Sequence, residues 1–286
     1  MTSGSTMTVA AAREVDRIAI EQWHVPSIVL MENAAIGATA VIRQVAPDGD
    51  VLILAGHGNN GGAGYAIARH LMSTGRGVRV LASGAPKTDD AAINRRICQA
   101  IGVPVIDGPA SDQSVDRPWE GVGVVVDCLL GTGATGDPRP PIDDWIRRAN
   151  AADVVRVAVD VPTGLDASTG RRGDPTFRAD HTVTFVAAKE GFGRDEAARI
   201  LGTIHVVGIG IPVVVSLAST SEPHAAPWST RPTSDAPSTG VPPTPTDVTG
   251  RTFRTNRPDD PIPTPVPFPN PNPNPNSQRN GRPGLE

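Results

Sequence analysis

Cysteine occurs only twice in the 286 residues, as Cys98 and Cys128. Both fall in segments that read as helix and strand, so no disulfide framework is indicated and both are expected as buried thiols. A surplus of positive charge is missing too. The formal net charge is -4 and the isoelectric point about 5.9, which leaves no basic field to attract nucleic acid or an anionic membrane. The N-terminus, MTSGSTMTVAAARE, lacks a basic segment followed by an apolar core, and no stretch approaches the length of a membrane span. The expectation is a cytoplasmic protein with neither nucleic acid nor membrane as partner. No serine stands in a nucleophile elbow. The histidines are scattered, and only His57 sits in a glycine-rich loop.

What the sequence has in plenty is glycine and proline, in different places. Proline concentrates after about Ser221, in runs such as PIPTPVPFPNPNPNPN. Such composition cannot offset the entropy of ordering a core, so 222–286 is expected as a disordered, partly polyproline-II tail. The globular part is then a single domain, placed at 8–215.

Glycine concentrates first in VLILAGHGNNGGAGYAIARHL, Val51–Leu71. An apolar run bounded by glycine reads as a buried strand, and the apolar residues after Tyr65 take helical spacing. A strand, glycine turn and helix leave unpaired N–H groups at a helix N-terminus, where a phosphate or pyrophosphate fits. GHGNNG formally matches the dinucleotide fingerprint, but the next strand, Val78–Ala82, ends without the ribose carboxylate. A Walker loop is excluded because Gly64-Tyr65-Ala66 stands where Gly-Lys-Ser/Thr is needed.

Around this unit the chain alternates. Helices are expected from Thr8 to Trp23, with Glu14, Asp16, Arg17 and Glu21 on its polar side, and from a capping Ser27 through Val45. Glu32 and Asn33 interrupt the second helix as candidate pocket residues. Further helices are expected near Asp90–Ile101, Ile142–Asn150 and Glu196–Leu201, with strands at Val103–Ile106, Val122–Asp127, Val154–Val159, His181–Ala188 and Ile204–Val207. Such alternation implies a parallel sheet with ligands beyond the carboxyl ends of its strands. Those ends carry Asn60, Asp127, Asp160 and Lys189, with Thr163 just beyond. Oxygen donors without histidine or thiolate suit a hard cation rather than zinc.

Five blocks in order, PSIVLMENAA, GHGNNGGAG, VVDCLLGTG, VDVPTGLDASTG and HTVTFVAAKEGF, resemble the YjeF N-terminal domain family, the NAD(P)HX epimerases. The resemblance implies a Rossmann-like three-layer α/β/α fold that interconverts the R and S forms of hydrated NADH and NADPH. It further implies a bound potassium ion and a tendency to dimerise. By position, Asn59, Asn60, Gly61, Gly62 and Ala63 of the first loop would hold the substrate. So would Gly131, Thr132, Gly133, Ala134, Thr135, Gly136 and Asp137 of the second, together with Asp160. Potassium would be held by Asn60, Asp127 and Thr163, the last replacing a serine usual in the family. Asp160 and Lys189 are the implied acid–base pair.

The family's first loop usually ends GNNGGDG, and Ala63 stands where that Asp would be. A catalytically impaired dinucleotide-binding or scaffold module is therefore the alternative, since the same fold also serves in messenger-RNA decapping assemblies. An ordinary dehydrogenase is disfavoured by the missing ribose carboxylate.

Overall fold

Residues along the central strands bury their side chains alternately on both faces of a sheet. The chain, in a computed structural model, is described over residues 6–108 and 117–212, which lie within one unit, Met1–Pro223. The tail expected at 222–286 is outside the described residues. In order, the elements are β1 (Thr6–Met7), α1 (Val9–Glu21), α2 (Ser27–Val45), β2 (Asp50–Ala55), α3 (Asn59–Ser73), β3 (Val78–Ala82), α4 (Asp89–Ala100) and β4 (Val105–Asp107). There follow β5 (Val122–Cys128), α5 (Ile142–Ala151), β6 (Val155–Val159), β7 (His181–Phe185), β8 (Ala188–Lys189), α6 (Asp195–Leu201) and β9 (Thr203–Val207).

Seven strands form one sheet in the order β4-β3-β2-β5-β6-β7-β9, and every pairing in it is parallel. Val51, Ile53 and Ala55 of β2 pack with Val124, Val126 and Cys128 of β5 against α2, α3 and Cys98 of α4. Leu52 and Leu54 face the other way, with Val125, onto Trp145 and Ile146 of α5 and onto Phe177. The sheet is thus covered on both faces, as the near-continuous apolar runs of its strands demand. Burying each of these larger aliphatic side chains contributes roughly 1.5–3 kcal/mol.

Four expectations are corrected. Helix α2 spans 19 residues and is long and apolar enough, by length and composition, to cross a membrane. Here Ala35, Ala38 and Ile42 on one of its faces are fully buried in the core. Ser27 is the first helical residue rather than the cap; Pro26 occupies the cap position, without a side-chain cap bond. The strand expected at His181–Ala188 stops at Phe185, because Val186 adopts a left-handed backbone (φ 68°) and β8 then pairs with β1 in a separate two-stranded sheet. That N-terminal strand was not expected at all.

Glu32 and Asn33 are held within the fold. Glu32 pairs with Arg69 and, at 2.8 Å, with His70, while Asn33 Nδ2 donates to the carbonyl of Ile209 at 3.0 Å.

Candidate functional site

The strand order places β2 beside β5, and from this point the chain winds outward in both directions. In open parallel sheets such a switch point leaves a crevice beyond the strand ends. Both glycine-rich loops start there, after β2 and after β5. They are stitched together: Gly56 N–H donates to the carbonyl of Cys128 at 3.0 Å. A Cβ on Gly56 would lie 1.7 Å from the Leu129 carbonyl oxygen, so only glycine allows the loops to approach this closely.

Above the crevice is a cleft of about 650 Å³ closed on one side by α1 and the start of α2. Asn59, Asn60 and Ala63 of the first loop line it, as do Gly131 to Ala134 of the second, Asp160 and Lys189. Gly61 and Gly62 do not line it. Both are buried, and a Cβ on Gly62 would press on Met31 and Ala91, which makes its smallness a matter of helix packing. Thr135, Gly136 and Asp137 face a separate cavity of about 310 Å³ instead. There the Asp137 carboxylate accepts from the backbone N–H of Asp174 at 2.9 Å.

Asp160 follows β6 with a left-handed backbone, φ 68°, a conformation that costs a non-glycine residue of the order of 1–3 kcal/mol. It is fixed by its N–H to the Val183 carbonyl at 2.7 Å and by the Thr132 N–H donating to Oδ2 at 2.9 Å. A Cβ on Gly131 would come within 2.8 Å of that same oxygen, so the second loop's first glycine makes room for the carboxylate. Lys189, 2% exposed, has its Nζ 3.7 Å from Asp160 Oδ1. The ammonium also donates to Thr184 Oγ1 at 2.9 Å, Ala187 O at 3.1 Å and Phe185 O at 3.2 Å. Burial pulls its pKa below the usual lysine value, and the neighbouring Asp160 opposes that.

Asp127, Thr163 and Asn60 meet just below the cleft. Asp127 is fully buried and accepts from the N–H groups of Leu129 (3.0 Å) and Thr163 (2.7 Å) and from the Thr163 hydroxyl (2.7 Å). Burial nonetheless pushes its carboxyl up to about 6, because these donors only partly offset the desolvation. Asn60 Nδ2 donates to the carbonyls of Leu130 (3.1 Å) and Val159 (3.2 Å), and the Leu130 N–H donates to Thr163 Oγ1 at 3.0 Å. Among the described residues no group of three or more His, Cys, Asp or Glu could hold a metal ion. The donors gathered here are amide, carboxylate, hydroxyl and carbonyl oxygens, which fit a hard monovalent cation; a buried carboxylate with no cationic side chain among its bonds is the feature that would welcome one. With an ion present, the Asn60 amide would be turned to offer Oδ1.

Sequence patterning missed Asp16. It sits on α1 among charged neighbours, yet it lines the cleft. Its carboxyl is raised by desolvation first and by Asp160 next, with Lys189 opposing. His57 also lines the cleft; burial, then the charge of Lys87, lower its pKa. Arg76 is far from a ligand role, since its guanidinium donates to the carbonyls of Pro47 (2.7 Å), Asp48 (2.5 Å) and Gly49 (2.5 Å).

The chain matches the family model of the YjeF-related protein N-terminus over residues 27–191. It is 46% identical over 210 residues to the NAD(P)H-hydrate epimerase of Rhodopirellula baltica, an alignment that covers 72% of this chain and 85% of that protein. It is 36% identical to the NAD(P)H-hydrate epimerase of Pirellula staleyi, over 70% and 90% of the two chains. Against the bifunctional NAD(P)H-hydrate repair enzyme Nnr of Salinibacter ruber the identity is 37%, but the alignment spans only 41% of that longer protein. The crystal structure of yeast ynu0, YNL200c, superposes with a TM-score of 0.64 over 73% of this chain and 90% of that one, at 23% identity, a likeness of fold. With the matched model spanning both loops, β6 and Lys189, this chain belongs to the family of the YjeF-related protein N-terminus.

Proposed function

We propose that this protein is an NAD(P)H-hydrate epimerase, an isomerase that interconverts the R and S forms of hydrated NADH and NADPH in nicotinamide-nucleotide repair. The observation that carries this is the 46% identity to a named epimerase over 85% of that protein's length. The cleft supports it from the chemical side. Inverting a hydroxyl-bearing ring carbon requires the C–O bond to break and to form again on the other face. A group must therefore give a proton to the departing hydroxyl and another must take one from the incoming water. Asp160, oriented by Thr132 and held 3.7 Å from Lys189, is placed to exchange such a proton at its half-buried carboxylate, which lines the cleft. Lys189 places a positive charge beside that carboxylate.

For binding, the N-terminal amides of α3 at Asn59 and Asn60 and the second loop from Gly131 to Ala134 are the proposed contacts to the dinucleotide, the former through the helix dipole, with Gly61 packed behind them. Gly62 and the residues Thr135, Gly136 and Asp137 support these loops from behind. Asn60, Asp127 and Thr163 would hold a potassium ion, which would supply the positive charge that the Asp127 carboxylate lacks. The cytoplasm is the proposed setting and a homodimer the proposed assembly, with no nucleic acid or membrane as partner.

A scaffold module remains the second reading, favoured by Ala63 in the position of the family's Asp. Separating the two hydrate epimers chromatographically over time tests the choice. Equilibration faster with protein than without supports the epimerase; a rate equal to the spontaneous one, with no NADP binding, supports the scaffold.

A further inference from the structure

The epimerase reading requires proton exchange on both faces of one ring carbon, and the pair Asp160 and Lys189 supplies a single carboxylate. The cleft contains a second. Asp16 projects from α1, an element distant in sequence from β6 that closes the cleft over the strand ends. Along α1 Glu14, Arg17 and Glu21 are engaged with one another, Arg17 pairing with Glu14 at 2.6 Å and with Glu21 at 2.5 Å on the solvent side, while Arg13 lines the cleft with Asp16. Asp16 takes no part in that ladder. It makes no hydrogen bond or ion pair among the described residues, and it faces the same space as Asp160, Lys189, Arg13, His57 and Asp90, the charged and titratable groups that line the cleft.

We propose that Asp16 is a second catalytic carboxylate, exchanging a proton with the substrate hydroxyl on one face of the ring while Asp160 serves the other; this rests on the epimerase reading. In one direction the Asp16 carboxyl gives its proton to the hydroxyl. The C–O electron pair leaves with the oxygen as water, and the ring carbon is left cationic. Water then adds from the other face, the new C–O bond forms, and its surplus proton goes to the Asp160 carboxylate. The proton returns from Asp160 to Asp16 through solvent, and the reverse direction exchanges the two roles. The division of labour follows from the surroundings. Asp160 has the Lys189 ammonium 3.7 Å away, whereas Asp16 has no cation bonded to it among the described residues. Desolvation and then the charge of Asp160 raise its carboxyl, which shifts it in the direction of the proton-bearing form.

The experiment compares wild type with Asp16→Asn and Asp16→Glu, each followed by epimer chromatography from pH 5 to 9, NADP titration and thermal melting. Asp16 makes no hydrogen bond or ion pair among the described residues, so the fold is expected to persist. The expected result is a fall in kcat of about 100-fold or more in Asp16→Asn, with KM and NADP affinity unchanged. Asp16→Glu should restore part of the rate with a displaced pH profile. Asp16→Asn within threefold of wild type would overturn the proposal. So would a loss seen in KM and NADP affinity alone, or an Asp16→Glu protein that folds but is no better than Asp16→Asn. If wild type itself fails to accelerate epimerisation, it is the epimerase reading that falls; the Asp16 variants decide the present point only against an active wild type. Should Asp16→Asn fail to fold, Asp16→Ser is read by the same criteria.

Discussion

The Lys189 ammonium stands 3.7 Å from Asp160 Oδ1 while donating to three acceptors at the end of β7 and in the turn after it. Lysine is therefore the fixed partner and the aspartate the one that meets the cleft. Replacing Asp160 by Asn keeps an oxygen to accept the Thr132 N–H but cannot exchange a proton. Asp160→Asn should cut the epimerisation rate by about 10²–10⁴-fold with little change in NADP affinity. Epimer chromatography beside a calorimetric NADP titration checks both halves.

The buried Asp127 gives a pH prediction with a definite sign. Its carboxyl is raised from 3.8 to about 6, so the native state holds that proton more tightly than the unfolded chain. The corresponding stability, about 3 kcal/mol, is fully present below pH 3.8 and is lost as pH rises through about 6. In potassium-free buffer the thermal midpoint should fall across that window. At neutral pH added potassium should raise it again, because an ion bound only to the native state stabilises by mass action. Asp127→Ala should flatten both dependences, and a variant that keeps its potassium response would exclude this cation site.

Ala63 is 5% exposed and lines the cleft in the first turns of α3. Compensation through Arg76 is ruled out, because that guanidinium is bound to three loop carbonyls. Ala63→Asp should accordingly tighten NADP binding by roughly tenfold to a hundredfold, the value of one charge-assisted hydrogen bond. Weaker binding in a calorimetric titration would mean that the loop works as it is and needs no carboxylate.

Both thiols are fully buried, and burial pushes Cys98 up to about 11 and Cys128 well above the usual range. Neither should react with a thiol reagent at pH 8 in the native protein, and both should react on unfolding. Stoichiometric labelling without denaturant would contradict the packing described for β5 and α4.

Much of this architecture could be read from the residues. β3 lies at Val78–Ala82 as expected, and β2 and β5 differ by one residue at an end, because continuous apolar runs bounded by glycine leave little choice of boundary. Asp127 and Asp160 were recognisable as strand-end groups for the same reason, whereas Lys189 closes β8 and not the strand whose end it was expected to mark. Asp16 was not, since its neighbours Glu14, Arg17 and Glu21 form a solvent-side ion-pair ladder and the sequence does not distinguish its side of α1 from theirs. The break at Val186 was equally hidden. Nothing in a β-branched residue announces a left-handed backbone, which is imposed here by the turn between two different sheets. The split of the second glycine loop between two cavities is likewise a tertiary matter that motif order does not contain.

The two-stranded sheet has a mechanical meaning. Met7 is in register with Lys189, and two residues later α1 begins. The helix bearing Asp16 is thereby anchored to the strand bearing Lys189, which ties the lid of the cleft to its floor. A chain shortened to start at Val9 would keep all seven strands of the main sheet yet lose this clasp, leaving α1 held by the packing of Val15 and Ala19.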